Sequence, residues 1–349
     1  MAYGTVNADV ISTSVANTSL GAGNATRFKN RIINGAMVID QRNAGASVTP
    51  TTDGTYTLDR WSVGVSASSK FSVQQNAGSV TPPAGFTNYL GITSSSAYSV
   101  AAGDYFYLQQ RIEGYNVADL GFGTANAKTV TLSFWVRSSL TGTFGGSFTN
   151  SSRSYPFTYT ISSANTWTQI SVTIAGDTSG TWLTTNGLGL LVSFGLGVGT
   201  TYSTTANAWA SGLYVSATGA TSVVGTSGAT FYITGVQLEV GSSATGFEVV
   251  DYTTQLAMCQ RYFEIINITR SYNAGISTTY AIVYFPFEIT KRTAPTLTYV
   301  ALTYYSSGTT TSFTPNKSYS TTTALAVGSD AFTSWNGFDT GTAQASAEL

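Results

Sequence analysis

VTLSFWVR, at residues 130–137, is the stretch that decides the fold class, because its apolar side chains fall on every second residue. Successive side chains of a β-strand point to opposite faces, so this pattern predicts a strand with one face in a core. The apolar set consists of Val130, Leu132, Phe134 and Val136. Trp135 falls on the other face, where it could contact solvent, a partner subunit or the core of a second sheet.

The same alternation recurs along the chain between clusters of Gly, Ser and Thr. Ile170, Val172 and Ile174 alternate with hydroxyl residues and precede a turn at 175–177. Near Gly235 the alternation changes phase, which predicts a β-bulge. Short strands separated by regular turn signals are typical of a β-sandwich, a jelly roll or a barrel. The sequence therefore predicts one all-β unit from about residue 31 to residue 250.

The first 28 residues differ from this pattern, because the stretch from Thr5 to Ala25 is small, polar and free of aromatic side chains. Such a segment is either a disordered tail or an arm that becomes ordered only against a partner. Ordering it would cost about 1–2 kcal/mol per residue, which contacts with the partner must offset.

A short helix is predicted after residue 250. Its apolar stripe, at spacings of four, three and four residues, consists of Tyr252, Leu256, Cys259 and Phe263. Residues at these spacings lie on one side of a helix. The candidate caps of the first helical turn are Asp251, Thr253 and Thr254.

Strand-like runs follow the helix at Tyr280–Glu288 and Thr296–Tyr305, and Pro286 indicates an edge strand. The last residues, Ala343–Leu349, are predicted to be frayed. The chain is therefore divided into three parts: an N-terminal arm at 1–28, an all-β sandwich at 29–250, and a short helix with a smaller β domain at 251–349.

The composition excludes several classes of protein. The 349 residues contain 15 Lys or Arg and 16 Asp or Glu, a net charge of -1, so the electrostatic attraction that dominates nucleic-acid binding is missing. Histidine is absent, which excludes a Ser-His-Asp triad, a Cys-His dyad and an imidazole metal site. The apolar runs are too short to span a bilayer, so no membrane insertion is expected, and the N-terminal residues do not resemble a secretory signal.

The remaining candidates for catalysis are carboxylates. Asp104, Glu113 and Asp119 lie close enough in sequence to form a glycosidase pair. The preferred interpretation is that Asp104 and Asp119 are turn residues and that Glu113 pairs with Arg111 on a strand edge. The prediction is therefore that the protein is not an enzyme and has no catalytic residue.

No cofactor or metal site is predicted either. Cys259 is interpreted as a small buried hydrophobe, because there is no histidine to activate it. Asp53, followed by Gly54, and Asp177 could offer oxygen ligands to Ca²⁺, but no D-x-D-x-D spacing supports such a site.

Aromatic side chains are abundant, with 21 Tyr, 18 Phe and 6 Trp. Tyr and Trp stack on the apolar faces of sugar rings, while Asn, Gln, Ser and Thr bond to sugar hydroxyls, so this composition suits a neutral glycan. For a single aromatic residue such as Trp61, packing in a core or a subunit interface is the preferred interpretation.

Three motifs resemble known proteins. They are Lys29–Met37 (KNRIINGAM) with Asp40–Asn43 (DQRN), Phe231–Glu239 (FYITGVQLE) with Ala244–Glu248 (ATGFE), and Gln255–Phe263 (QLAMCQRYF). In this order they resemble virion structural proteins of tailed bacteriophages, especially tail fibres and related appendages. The middle unit is similar to jelly-roll carbohydrate-binding modules, in which a final strand with V-Q-L-E-x-G closes the sandwich.

The resemblance implies a jelly-roll β-sandwich in a homotrimer that is assembled in the host cytoplasm and resides in the virion. It also implies that the arm at 1–28 anchors the subunit to other virion proteins, with the C-terminal region outermost. The expected function is a tail-fibre or receptor-binding subunit that contacts host surface glycans. The alternatives are a purely structural capsid-decoration, head-fibre or tail-adaptor protein and, as a third class, an appendage enzyme that degrades glycans.

Overall fold

The computed structural model describes residues 28–271, 275–276, 281–300, 303–306, 309–312, 317–329 and 338–349. The predicted arm, except for Phe28, lies outside these residues, so it stays a prediction. Within the described parts the chain is almost entirely β-structure with one α-helix.

The residues that precede the helix form two large sheets and a third sheet of two short strands. Their strands are β1 (Thr55–Leu58), β2 (Trp61–Val65), β3 (Phe71–Gln75), β4 (Leu90–Ser94), β5 (Tyr105–Glu113), β6 (Val130–Ser138), β7 (Gly142–Thr149), β8 (Arg153–Ile161), β9 (Thr168–Ile174), β10 (Leu188–Val198), β11 (Ser203–Thr204), β12 (Ala210–Ser211), β13 (Ser216–Ala217) and β14 (Thr230–Val240). One sheet has the order β1-β2-β5-β10-β7-β8-β12, and the other has the order β3-β4-β14-β6-β9. The short strands β11 and β13 pair with each other in parallel.

The two sheets pack face to face around one apolar core, which confirms the predicted jelly-roll sandwich. Phe134 of β6 and Phe194 of β10 meet there with ring centroids 5.0 Å apart. Trp61, which opens β2, is fully buried in the same core, as its core interpretation predicts. Trp135 is half-buried on the opposite face of β6.

The bulge predicted at Gly235 is present. The register between β14 and β6 shifts between Thr234 and Gln237, and Gly235 has φ 60°. A side chain at this position would also meet the Phe86 ring, since an added Cβ would lie 2.5 Å from its Cζ. Both constraints favour glycine, because other residues rarely adopt this conformation.

The helix, α1, runs from Tyr252 to Gln260 and is capped by Asp251, whose carboxylate accepts a hydrogen bond from the Thr254 N–H at 3.0 Å. The predicted apolar stripe is only partly correct. Cys259 is buried, but Tyr252 is 60% exposed and Phe263 belongs to the following strand. None of the helices described here is long and apolar enough to cross a membrane.

The strands after the helix form two further sheets. They are β15 (Phe263–Ser271), β16 (Gly275–Ile276), β17 (Ala281–Pro286), β18 (Thr296–Val300), β19 (Thr303–Ser306), β20 (Thr309–Ser312), β21 (Lys317–Ser320), β22 (Ala324–Ser329) and β23 (Phe338–Ser346). In one sheet β23 pairs with β15, β18 and β19, and the other has the order β16-β17-β22-β21. The predicted domain limits at 28/29 and 250/251 stay a prediction.

The prediction that Ala343–Leu349 is frayed is wrong. Ala343 and Ala345 are fully buried in β23, which pairs along its length with β15. Ala347 is buried as well, and its N–H donates to the carbonyl of Tyr262 at 2.7 Å. Small alternating side chains therefore fill a tight space here, and the predicted fraying does not occur.

Candidate functional site

The three sequence motifs meet at one end of the jelly roll, in a region of largely buried polar contacts. We call this region the joint; its polar residues are Asn30, Asp59, Glu113, Glu239, Arg261 and Glu348. Asn30 bonds to the bulged strand, donating to the carbonyl of Val236 at 3.1 Å and accepting from the Leu238 N–H at 3.0 Å. Its own N–H donates to Glu248 at 2.9 Å. The first motif is thereby fastened to both halves of the second.

The V-Q-L-E residues hold the loop that follows them. Glu239 is buried and accepts from the N–H and the hydroxyl of Thr245 at 2.8 and 2.6 Å. The Nε2 of Gln237 donates to Glu239 at 2.9 Å, and its Oε1 accepts from the Glu248 N–H at 2.8 Å. Lys29 also bonds to Thr245 and lies 3.9 Å from Glu239. The buried charge of Glu239 is therefore neutralised and hydrogen-bonded, as burial requires.

The third motif is joined to the jelly roll by Glu113, the last residue of β5. The prediction that Glu113 pairs with Arg111 is wrong, because the Glu113 carboxylate binds Arg261 instead. Arg261 donates from Nε and Nη2 at 3.0 and 2.6 Å, and the Tyr262 hydroxyl donates at 2.7 Å. The bonds with Glu113 raise the pKa of Arg261, while burial raises the pKa of Tyr262 to about 12. Proximity in sequence favoured Arg111 as the partner of Glu113, but the bidentate hydrogen bonds from Arg261 satisfy the carboxylate better.

The joint also contains Asp59 and the end of the chain. Asp59 accepts from the N–H and Nε2 of Gln41, both at 2.7 Å, and its burial raises the pKa of the carboxyl to about 6. Glu348 accepts from Arg42 at 2.7 Å and also binds Arg60. Burial lowers the pKa of Arg42 to about 10.

Cys259 packs inside the joint against Ile33, Ile39 and Tyr262, as its interpretation as a buried hydrophobe predicts. Burial raises the pKa of its thiol, which keeps it protonated and unreactive at neutral pH. The residues of the joint are bonded to one another, so we interpret the three motifs as a structural connection and not as a ligand site.

The structure does not bring the three candidate carboxylates together. Asp104 lies at the start of β5 and accepts from the Ser66 and Tyr98 hydroxyls at 2.9 and 3.0 Å. Burial opposes its ionisation, but these bonds and one from the Ala101 N–H lower the pKa of Asp104. Glu113 lies at the other end of the same strand.

Asp119 and the two possible calcium ligands have separate protein partners. Asp119 is exposed and pairs with Arg31 at 2.8 Å. Asp177 is buried and is bound by Arg153 through Nε at 2.8 Å and Nη2 at 2.9 Å. Asp53 accepts from the Val65 N–H at 3.0 Å. Within the described residues, no three His, Cys, Asp or Glu side chains are grouped so as to hold a metal ion.

Tyrosine side chains form a surface at the end of β5 that is far from the joint. Tyr105 and Tyr107 alternate with core residues, so they point to the outer face of the seven-stranded sheet. Tyr202, from the loop after β10, packs at 77° on Tyr105 with centroids 5.0 Å apart, and Tyr107 lies 5.8 Å from Tyr105. We call Tyr105, Tyr107 and Tyr202 the tyrosine face.

The tyrosine face packs against the sheet on its inner side and is partly exposed on its outer side. The Tyr107 ring lies across Gly64, where an added Cβ would come within 2.2 Å of the ring, so only glycine fits there. Tyr107 is 8% exposed, while Tyr105 and Tyr202 are half-buried. Among the described residues, none hydrogen-bonds to the three phenol oxygens, which leaves them available to a ligand.

A second aromatic group, formed by Phe122, Tyr155, Trp182 and Trp209, is arranged differently. Its rings pack edge to face, for example Trp182 on Trp209 at 84°. Both indole N–H groups donate to backbone carbonyls, at 3.1 and 2.8 Å. Phe122 and Trp182 line an apolar cavity of about 140 Å³. This group therefore packs against the core, and both of its indole N–H groups are already satisfied.

Sequence reasoning missed the tyrosine face. The spacing of Tyr105 and Tyr107 was visible, and it is a signal for a shared strand face. Tyr202 is almost 100 residues away in a loop, and no local pattern predicts that it packs on Tyr105. Fold topology alone brings the three rings together.

No model of a protein family matches the chain, and no curated protein matches its sequence. Solved structures that are similar to it include a family 4 carbohydrate-binding module, at 16% identity over 60% of this chain and 98% of that one, with a TM-score of 0.30. A proposed sugar-binding protein of Bacteroides thetaiotaomicron has 13% identity, coverage of 61% and 100%, and a TM-score of 0.37. The family 11 carbohydrate-binding module of a Clostridium thermocellum cellulase has 11% identity, coverage of 57% and 98%, and a TM-score of 0.28.

Proposed function

We propose that this protein binds a glycan through the tyrosine face of its jelly roll. The observation that supports the proposal is a group of three tyrosine rings on an outer sheet face, two of them half-buried, with phenol oxygens that no described residue uses. Aromatic rings stack on the C–H faces of sugars, and free phenols donate to and accept from sugar hydroxyls. A rigid sheet presents both without a large ordering cost.

The decisive variant is Tyr105→Ala, because Tyr105 contacts both other rings of the tyrosine face. Tyr115 is a matched control: it is 61% exposed and follows the opposite end of β5. We expect Tyr105→Ala to weaken glycan binding about tenfold or more, the loss of a buried aromatic contact of roughly 1.5 kcal/mol, and Tyr115→Ala to leave it unchanged. Binding is measured by a glycan array followed by calorimetry.

Two results contradict the proposal. One is that the purified wild-type protein retains no glycan on an array of bacterial surface polysaccharides. The other is that Tyr105→Ala and Tyr115→Ala weaken binding equally. A glycan that is shortened during incubation would instead support the degrading enzyme that the sequence analysis considered.

We further propose that this binding occurs on a virion, in a homotrimeric tail fibre or related appendage. The motif order supports this proposal, and so does an exposed apolar side chain at the joint, where Phe28 is 57% exposed. Phe28 lines a cavity of about 330 Å³ with Met258. Large apolar side chains on a surface favour subunit contact.

Light scattering tests the trimer, whose mass would be about 110 kDa, three times 36.6 kDa. A monomer at micromolar concentration would contradict it. Electron microscopy of labelled particles separates a tail fibre from the structural alternative, because a capsid-decoration or head-fibre protein would be labelled on the head. Label on neither part would contradict both roles.

A further inference from the structure

A carboxylate lies beside the tyrosine face. Asp53 is exposed and bonds to Val65 of β2, which pairs with Phe106 between Tyr105 and Tyr107 on β5. In agreement with this placement, its charge raises the pKa of Tyr105 and of Tyr107, in each case after the larger effect of burial. Its Oδ1 accepts from the Val65 N–H at 3.0 Å. Among the described residues, none bonds to the second oxygen, Oδ2, so this oxygen can accept a hydrogen bond from a ligand.

A buried amide follows the tyrosines along the same face of β5. Gln109 follows Tyr107 on the same face of β5, is 1% exposed, and donates from Nε2 to the Ser62 hydroxyl at 3.1 Å. Its Oε1 is buried and has no donor within the described part of the chain. Because the Gln109 oxygen is enclosed, the groups of this face that favour a donor or a cation are the Asp53 Oδ2 and the aromatic rings.

Two basic residues near β5 have other partners, and the charge of Arg111 lowers the pKa of Tyr107 by less than the charge of Asp53 raises it. Arg111 lies four residues beyond Tyr107, about 13 Å along the strand, and its guanidinium donates to the carbonyl of Leu349 at 3.0 Å. Lys70 lies over the Tyr98 ring at 4.7 Å, and Tyr98 packs on Phe106, a core residue. Lys70 is therefore on the core side of β5, away from the outer face.

From this arrangement we infer that the tyrosine face selects glycans with free, protonated amino sugars over neutral ones, and disfavours anionic sugars such as uronic acids. The inference rests on the proposed function. The ammonium group of an amino sugar would donate to Asp53 and lie against a tyrosine ring, whereas a carboxylate would be repelled by Asp53.

The test uses three trisaccharides: chitosan triose, with free amines; chitotriose, the same backbone with acetylated amines; and trigalacturonate, with carboxylates. Binding is measured at about pH 6, where the amines of chitosan triose are protonated. We expect chitosan triose to bind about three to ten times more tightly than chitotriose, a preference that falls at high salt, and trigalacturonate to bind most weakly.

The variant Asp53→Asn keeps the shape of the side chain and an acceptor for Val65, but removes the charge. It should bind chitosan triose and chitotriose equally. The control is Asp119→Asn, because Asp119 is an exposed carboxylate near the opposite end of β5, and it should keep the wild-type preference.

Three results overturn the inference while Tyr105→Ala still weakens binding. They are equal affinity of the wild type for chitosan triose and chitotriose, tighter binding of trigalacturonate, and a preference for chitosan triose that is retained in Asp53→Asn. If Asp53→Asn does not fold, a wild-type preference that high salt leaves unchanged also overturns the inference. If no trisaccharide or array glycan binds and Tyr105→Ala changes nothing, the proposed function itself fails, and the inference with it.

Discussion

Replacing Glu113 with alanine tests whether the joint connects the jelly roll to the strands that follow the helix. The Glu113 carboxylate is 1% exposed and accepts two hydrogen bonds from Arg261 and one from Tyr262. The substitution leaves the buried Tyr262 hydroxyl without its acceptor, while Arg261, whose side chain is 33% exposed, recovers part of its hydration.

The magnitude follows from that burial. Breaking a fully buried ion pair costs about 3–5 kcal/mol, and the partial exposure of Arg261 lowers this figure. We expect Glu113→Ala to reduce the free energy of unfolding by about 2–3 kcal/mol. Asp119→Ala is the matched control, because Asp119 binds Arg31 with a side chain that is 47% exposed, and should cost less than about 0.5 kcal/mol.

The assay is urea denaturation followed by tryptophan fluorescence, completed as a double-mutant cycle with Arg261→Ala. The cycle should return a coupling energy of about 1.5 kcal/mol between Glu113 and Arg261. A coupling energy below about 0.5 kcal/mol, or equal costs for Glu113→Ala and Asp119→Ala, would refute the reasoning that burial at the joint makes this pair stabilising.

Two other predictions concern the same end of the molecule. Gly35→Ala should destabilise the fold by more than about 2 kcal/mol, because an added Cβ would lie 2.1 Å from the carbonyl oxygen of Val236. Gly103→Ala should be neutral, because an added Cβ there meets no atom within 4 Å. Equal melting temperatures of the two variants would contradict this prediction. Asp59 has a pKa raised from 3.8 to about 6, so the folded state binds its proton more tightly than the unfolded state. The free energy of unfolding of the wild type, relative to that of Asp59→Asn, should therefore fall by up to about 3 kcal/mol as the pH rises from about 4 to about 6. If the free energies of unfolding of the two proteins change in parallel over that range, burial does not raise the pKa of Asp59 as described.

The fold could be predicted from the sequence wherever one strand face is apolar and the other is not. Val130–Arg137 became β6, and Gly235 became the bulge, because alternation and a glycine in a positive-φ conformation are local properties. The helix cap at Asp251 was also local. These features depend on the residue itself and its sequence neighbours.

The failures share a different cause. Glu113 was assigned to Arg111, and Ala343–Leu349 was expected to fray, because their actual partners are distant in sequence. Glu113 binds Arg261, and Glu348 binds Arg42. The tyrosine face was missed for the same reason, since a ring from a loop completes it. Long-range contacts determine the structure of both the joint and the candidate site, and local patterns in a single sequence do not predict such contacts.

The placement of the joint bears on how the subunit would be oriented. β5 extends about 26 Å from Tyr105 to Glu113. At the Glu113 end, Phe28 bonds to Glu248 and shares a cavity with Met258, so the first described residue and the strands after α1 both adjoin this end of the jelly roll. We propose that the predicted arm at 1–28 attaches the subunit to a particle, in which case the joint end would face inward. The tyrosine face, at the other end of β5, would then point away from the particle, which favours it over the C-terminal region as the first surface to meet a glycan.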